Sequence, residues 1–413
     1  MSQNKLNHQL ILPCGAVLKN RIAKSAMSEA LGNSRHEADE NLQKLYHRWA
    51  LGGTGLLITG NVMVDATALG EPGNVAFTKN RGIEDLKKWA EASVIENTHV
   101  WVQLNHPGKQ SPKFLSKEPV SPSAIAFGPP LGNMFYPPRA LTEKEIFDII
   151  EAFAFASKSV KDAGFTGVQI HGAHGYLVSQ FLSPLHNQRQ DQWGGSLANR
   201  MRFVMNLYQA IRQSVGPAFP VGIKLNSADF QRGGFTQEES MDVVQALSEK
   251  GMDLIEISGG TYEAPAMTGA APGKQKKSTQ EREAYFLGYC EEVRKRVKTP
   301  LMLTGGFRSR EGMEEALQSG ACDVIGLARP LAINPDFSKA LLRGENITSP
   351  VKPLSTGIRA LDKLVPLEVT WYTHQLQRMG KGQEPDPDLG EIKSILSTFI
   401  TMGIQNLRRT RTR

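Results

Sequence analysis

Short apolar segments alternate with amphipathic segments along most of this chain. The apolar segments are nearly continuous in hydrophobicity, which is typical of parallel strands buried on both faces. The pattern predicts eight strands, at Ile22–Met27, Gly55–Gly60, Val100–Leu104, Gly167–His171, Val221–Leu225, Leu254–Ile257, Leu301–Thr304 and Val324–Gly326.

Helices are predicted between these strands from apolar residues at three-to-four spacing. Two capping boxes, Thr142–Glu145 and Thr236–Glu239, begin helices that are expected to end at Gly164 and Gly251. Eight strand–helix alternations predict a TIM (β/α)8 barrel. No G-x-G-x-x-G sequence follows an early strand, which disfavours an open dinucleotide-binding sheet.

Both ends of the chain depart from the alternating pattern. The segment Leu10–Leu18 predicts an N-terminal hairpin that closes the floor of the barrel. We predict that residues 1–345 form the barrel and that residues 346–413 form a helical C-terminal extension. Helices are expected at Leu367–Met379 and Gly390–Leu407, and the extension is expected to pack on the barrel or to mediate contact in a homo-oligomer.

Composition narrows the class of protein. Among 413 residues, 40% are hydrophobic and 22% are charged, as in soluble globular proteins. No apolar run approaches the roughly 20 residues that a membrane helix needs. The polar N-terminus lacks the apolar core of a signal peptide. Three scattered cysteines, Cys14, Cys290 and Cys322, form no disulfide or cluster motif. A cytoplasmic location is therefore predicted.

The net charge of +7 raises the question of nucleic-acid binding. Much of this positive charge comes from four arginines in the last six residues, Arg408, Arg409, Arg411 and Arg413. A basic tail of this kind is usually solvated, and no basic stripe with interleaved aromatic residues accompanies it. No nucleic-acid partner is predicted.

Chemistry-bearing residues cluster where the predicted strands end. The fourth strand leads into His171, His174 and Tyr176. Imidazoles can hold a carbonyl oxygen by hydrogen bonding, and a phenol can donate a proton to carbon. Neither group carries electrons, so a reduction at this site would need a cofactor. A metal site on His171 and His174 is the weaker alternative, because a third ligand at suitable spacing is hard to find.

Two further groups of residues indicate what such a cofactor would be. Gly305, Gly306 and Gly326 lie at the last two strand ends, where exposed backbone N–H groups could cradle a phosphate that Arg329 neutralises; two tight turns are the alternative. Gln103 and Lys224 suit the edge of a flat heterocycle, although either could instead be structural, Lys224 as a salt-bridge partner.

These residues resemble those of the Old Yellow Enzyme family of FMN-dependent NAD(P)H:flavin oxidoreductases. The resemblance extends from about Leu10 to Pro335. The strongest stretch is Val168–Pro184, with support from Val102–Lys109, Thr304–Phe307 and Ile325–Pro330.

The resemblance implies that FMN lies at the carboxyl-terminal mouth of the barrel and that NAD(P)H reduces it. It further implies that Ser28 would bond a flavin carbonyl, Gln103 the pyrimidine edge and Lys224 the N1/O2 side. His171 and His174 would grip a substrate carbonyl, and Tyr176 would protonate the α-carbon. The remaining cofactor contacts would come from Ser25, Ala26, Met27, Gly60, Gly305, Gly306, Phe307, Ala328 and Arg329.

We hypothesise a ping-pong ene reductase that acts on small molecules with an electron-poor alkene. A flavin-dependent dehydrogenase or demethylase on the same barrel is an alternative. So is a flavin-free, phosphate-binding aldolase or isomerase that uses Lys224 as a Schiff-base amine. A barrel that only binds its ligand is a third hypothesis.

Overall fold

The computed structural model describes residues 4–78, 82–259, 263, 284–352, 354–358 and 367–396. Within these residues, eight parallel strands form a closed ring, which confirms the predicted TIM barrel. The strands are β1 (Ile22–Lys24), β2 (Leu56–Ile58), β3 (His99–Asn105), β4 (Gly167–Gly172), β5 (Val221–Asn226), β6 (Leu254–Ser258), β7 (Leu301–Thr304) and β8 (Val324–Leu327).

The ring closes because strands that are distant along the chain pair with one another. β8 pairs with β1, with Ile325 opposite Ile22, and β3 pairs with β4, with Gln103 opposite Gln169. β1 is shorter than predicted: its last ladder bond runs from the Ser25 N–H to the carbonyl of Leu327, where β8 ends. The segment that follows Lys24 is therefore free to turn over the mouth of the barrel.

Helices cover the outside of the ring. Both predicted capping boxes are present, and the helices that they begin carry their buried residues on one face. The described helices are Glu40–Leu51, Ile83–Ser93, Glu143–Asp162, Leu177–Leu182, Leu197–Arg200, Arg202–Val215, Gln237–Glu249, Leu287–Arg294, Arg310–Gln318, Arg329–Ile333, Phe337–Leu342 and Leu367–Gly380. Short 3-10 helices occur at Lys5–Asn7 and Leu131–Asn133.

The predicted N-terminal hairpin is present and closes the barrel floor. Leu10–Ile11 pairs in antiparallel fashion with Val17–Leu18. An apolar cluster fills this end of the barrel interior, and it comprises Leu10, Leu12, Leu18, Ala23, Leu56, Ile58, Trp101, Leu254, Met302 and Val324. Short strands outside the barrel ladder lie at Val62–Met63, Val75–Ala76, Val120–Ser121 and Arg139–Ala140.

In the C-terminal extension, helix Leu367–Gly380 packs against helices Glu40–Leu51 and Arg329–Ile333 beside the mouth of the barrel. The second predicted helix, Gly390–Leu407, is described only in part, and residues 391–396 are helical. The arginine-rich tail lies outside the described residues. In the described part of the chain, no helix is both long and apolar enough to cross a bilayer.

Candidate functional site

A cavity of about 410 Å³ opens at the carboxyl-terminal mouth of the barrel. Every predicted site residue except Gly60 lines it. The predicted residues that line the cavity are Ser25, Ala26, Met27, Ser28, Gln103, His171, His174, Tyr176, Lys224, Gly305, Gly306, Phe307, Ala328 and Arg329. Because the carboxyl ends of parallel strands meet at one rim, segments far apart in sequence converge here.

Gly60 lies behind the cavity wall. Its N–H donates to Glu29 Oε1 over 2.9 Å and to the Tyr46 hydroxyl over 3.2 Å. A Cβ atom at this position would lie 2.4 Å from the carbonyl oxygen of Met27. The absence of a side chain at position 60 thus lets the Ser25–Ser28 segment lie against β2.

A buried polar cluster that the sequence analysis missed supports the same segment. Lys24 Nζ donates to the carbonyl of Ile58 over 2.7 Å and to the Tyr46 hydroxyl over 3.2 Å. The Tyr46 hydroxyl also donates to Glu29, whose carboxylate lies 3.9 Å from Lys24 Nζ. Burial lowers the pKa of Lys24 to about 8 and raises the pKa of Glu29. The cluster fixes both ends of the Ser25–Ser28 segment.

A polar network crosses the barrel interior beneath the cavity. Gln103 Nε2 donates to Gln169 Oε1 over 2.7 Å, and Gln169 Nε2 donates to Glu256 Oε2 over 2.8 Å. The other carboxylate oxygen of Glu256 lies 3.1 Å from Lys224 Nζ and accepts a bond from Thr304. Lys224 therefore both lines the cavity and forms a salt bridge inside the barrel.

The last two strand ends form the glycine-rich side of the cavity. Gly305 and Gly306 have φ angles of +111° and +89°, a backbone conformation that favours glycine. A Cβ atom at Gly306 would lie 2.9 Å from the backbone nitrogen of Ala284. Arg329 lies beside these glycines in the cavity wall, and its Nη1 donates to Glu368 over 3.0 Å.

His171, His174 and Tyr176 form the opposite wall, as predicted from their positions after β4. The ring centroids of His171 and His174 are 5.1 Å apart, and those of His171 and Tyr176 are 4.8 Å apart. His174 has a φ of +63° and is followed by Gly175 at +77°, so the chain turns sharply between His174 and Tyr176. This turn brings the three side chains together.

Burial and the nearby Lys224 ammonium hold the pKa of both imidazoles well below the usual value, and His174 further lowers the pKa of His171. Both rings are therefore neutral. The Ala173 N–H donates to His171 Nδ1 over 3.3 Å, which leaves the ring proton on Nε2. His174 meets the Ser258 hydroxyl through Nε2 at 2.9 Å. Asn61 Nδ2 donates to the Tyr176 oxygen over 3.4 Å.

The C-terminal extension supplies another part of the wall. Its cavity-lining residues repeat at helical spacing: Glu368, Val369, Tyr372, Thr373 and Leu376. Thr373 Oγ1 also donates to the carbonyl of Ser28 over 3.3 Å. Helical periodicity in this segment was visible in the sequence, but nothing there indicated which surface it would cover.

The donor set fits a flavin mononucleotide. The amide of Gln103 and the ammonium of Lys224 suit the polar edge of the ring, and two glycines with Arg329 suit the phosphate. In the described residues, no group of three His, Cys, Asp or Glu side chains is arranged to hold a metal ion.

Comparison with known proteins gives the family. The sequence model of the NADH:flavin oxidoreductase / NADH oxidase family matches residues 14–346. The NADH-dependent flavin oxidoreductase iccE of Talaromyces variabilis is 34% identical over 414 residues, covering 92% of this chain and 99% of the relative. The NADH-dependent flavin oxidoreductase iliE of Hypocrea jecorina (strain QM6a) is 37% identical over 363 residues, covering 81% of this chain and 88% of the relative.

A solved structure has the same fold. The old yellow enzyme homologue from Zymomonas mobilis superposes with a TM-score of 0.71 at 24% identity, covering 84% of this chain and 94% of that one. The chain belongs to the NADH:flavin oxidoreductase / NADH oxidase family, the Old Yellow Enzyme family, with FMN as cofactor and NADH or NADPH as reductant.

Proposed function

We propose that the chain reduces the activated C=C bond of α,β-unsaturated carbonyl compounds in a ping-pong cycle driven by NAD(P)H. One observation carries the proposal. Two neutral imidazoles and a phenol share one wall of the cavity whose other walls suit FMN. Hydrogen-bond donors that bind a carbonyl oxygen, next to a proton donor, are the groups that reduction of a conjugated alkene requires.

FMN, when bound, supplies the hydride. His171 donates from Nε2 to the carbonyl oxygen of the substrate. With its Nε2 accepting from the Ser258 hydroxyl, His174 would carry its proton on Nδ1 and donate to the same oxygen from there. Neutral donors suit this role, since they stabilise the developing enolate charge without transferring a proton to oxygen.

Tyr176 provides the proton for the α-carbon. Its phenol lies beside His171, and the Asn61 amide donates to the phenol oxygen. A donor at that oxygen stabilises the phenolate left after proton transfer. Solvent protons then restore the phenol between turnovers.

Stopped-flow kinetics of Tyr176→Phe test the proposal. Loss of a positioned general acid is expected to slow flavin reoxidation by cyclohexenone about 10²-fold or more, while reduction by NAD(P)H changes little. Tyr136→Phe, on an exposed side chain outside the cavity, is the matched control. Equal losses in both half-reactions would contradict the assigned role.

The flavin-free alternative is disfavoured by the salt bridge of Lys224. A Schiff-base amine must be free to attack a carbonyl, whereas Lys224 Nζ is paired with the Glu256 carboxylate at 3.1 Å. A purified protein that is colourless and that FMN cannot reconstitute would favour the lyase. Reduction of the oxidised flavin by amines or alcohols, tested in place of NAD(P)H, addresses the dehydrogenase alternative.

A further inference from the structure

We propose that Glu256 is a positioning residue at the FMN-binding site. It sets the direction of the hydrogen bonds that reach the site and the net charge there. This inference rests on the proposed flavin-dependent function, in which Gln103 and Lys224 contact the ring edge of FMN, but it does not depend on the substrate. Glu256 does not line the cavity, and it acts through residues that do.

Glu256 is a fully buried carboxylate whose two oxygens are both bonded. Oε2 accepts from Gln169 Nε2 at 2.8 Å. Oε1 accepts from the Thr304 hydroxyl at 2.7 Å and lies 3.1 Å from Lys224 Nζ. A buried carboxylate is tolerated only with such partners, because desolvation of an unpaired charge is costly. The three donors come from β4, β5 and β7, so Glu256 ties three strands together.

The carboxylate fixes the direction of the hydrogen bonds that reach Gln103. An ionised carboxylate only accepts, so Gln169 must turn its NH2 group toward Glu256 and its carbonyl toward Gln103. Gln103 then gives an N–H to that carbonyl over 2.7 Å. Because its NH2 group is bonded to Gln169, Gln103 has its amide carbonyl available to a ligand in the cavity. An amide carbonyl complements the ring N–H of a flavin.

Glu256 also fixes the direction of a hydrogen bond just after the end of β1. Thr304 has a single hydroxyl proton, and it is given to Glu256. The Ser25 hydroxyl, 2.8 Å from Thr304 Oγ1, must then be the donor in that contact. Glu256 therefore orients hydrogen bonds at Gln103 and at Ser25, which line the cavity from different strands.

Glu256 also balances the positive charge of Lys224 at the FMN-binding site. The Lys224 ammonium favours a reduced, anionic flavin, and the adjacent carboxylate partly cancels that effect. Glu256→Gln removes the compensating charge at nearly constant volume. We therefore expect a more positive midpoint potential in this variant and a more negative one in Lys224→Met.

The experiment measures, on holoprotein, the midpoint potential by equilibration with redox dyes and the Kd of oxidised FMN by fluorescence quenching. Glu256→Gln is expected to raise the Kd about tenfold, as for the loss of one buried oriented hydrogen bond, and to shift the potential upward. Glu314→Gln, at a buried carboxylate outside the cavity, is the matched control and should leave both values unchanged.

Gln169→Leu separates the two roles and remains informative if Glu256→Gln fails to fold. It interrupts the connection to Gln103 but retains the Lys224–Glu256 pair, so FMN should bind more weakly at an unchanged potential. An unchanged or lower potential in Glu256→Gln, or unchanged FMN affinity in Gln169→Leu, would overturn the proposal. Neither measurement uses an alkene, so failure of the proposed reaction would be detected separately.

Discussion

At the amino-terminal end of the barrel the interior is filled by leucine, isoleucine, valine, alanine, methionine and one tryptophan, and a hairpin closes it. At the carboxyl-terminal end the same strands supply glutamine, histidine, lysine, serine and threonine around an open cavity. The two ends, the floor and the mouth, are separated by only a few residues along each strand. β3 illustrates this, since Trp101 belongs to the floor and Gln103 to the mouth.

The difference lies in how each end is stabilised. The floor gains its free energy from apolar burial, which needs close packing but little directionality. The mouth contains buried charged groups, and Glu256 and Lys24 show that such groups are tolerated because they have hydrogen-bond or ion-pair partners. We therefore expect substitutions at the floor to alter folding stability and substitutions at the mouth to alter chemistry.

The largest expected effect is at Trp101. Its indole crosses the barrel from β3, and Cβ atoms at Gly167 and Gly222 would lie 2.5 and 2.7 Å from its ring atoms. Trp101→Ala should lower the free energy of unfolding by about 3–5 kcal/mol through the cavity it leaves. Urea denaturation measures this, with Phe155→Ala at a partly exposed helix position as the control. A loss below about 1 kcal/mol would contradict the packing role.

The next effect is at the mouth. His171→Ala removes one donor to the substrate oxygen and should slow flavin reoxidation by an enone about 10²–10³-fold. His171→Asn retains an N–H donor and should recover part of that loss. Unfolding in urea should change far less than in Trp101→Ala. If His171→Ala instead destabilises the protein by several kcal/mol with little kinetic effect, the division between floor and mouth fails.

The sequence predicts the floor and the mouth unequally. Hydrophobic periodicity and the capping boxes at Thr142 and Thr236 are local, so the strands, helices and hairpin can be predicted from neighbouring residues. The site residues at the mouth follow from strand ends and from the resemblance. Glu256 was missed because its role depends on register: it lies opposite Lys224 on the adjacent strand, and sequence spacing does not specify that pairing.

The contribution of helix Leu367–Gly380 was missed for a related reason. Its amphipathic pattern predicts a buried face but not the surface that the face covers. Thr373 and Ser28 are joined by a hydrogen bond although they lie 345 positions apart in the chain. Contacts of this range are determined by how the whole domain packs.

A smaller effect concerns the pH dependence of stability, which should arise at the mouth. His106 follows β3 and is 3% exposed; burial lowers its pKa to about 4, and Asp65 opposes this shift. In the unfolded chain the His106 imidazole takes up a proton near pH 6.5. The stability that results from its lowered pKa in the folded protein is therefore fully present above that pH and is lost as the pH falls toward 4.

At pH 5 the loss should be about 2 kcal/mol relative to pH 7. Urea denaturation at both pH values measures the loss in the free energy of unfolding between pH 7 and pH 5. This loss should be smaller in His106→Gln than in the wild type by the same amount. His47→Gln, at an exposed ring, serves as the control. An identical pH difference in wild type and His106→Gln would show that the mouth does not confer this sensitivity.

The smallest effect tests whether the floor hairpin is stabilised by its inner face alone. Leu10 and Ile11 are adjacent in one short strand, but Leu10 is 8% exposed and packs in the floor cluster, whereas Ile11 is 70% exposed. Ile11→Ala should change the free energy of unfolding by less than about 0.5 kcal/mol, because the side chain is already in water. Leu10→Ala should cost about 2 kcal/mol or more, since it removes buried apolar atoms. Differential scanning calorimetry of the two variants measures this contrast. Similar losses at both positions would mean that the outer face of the hairpin is covered in solution and that the floor extends beyond the barrel.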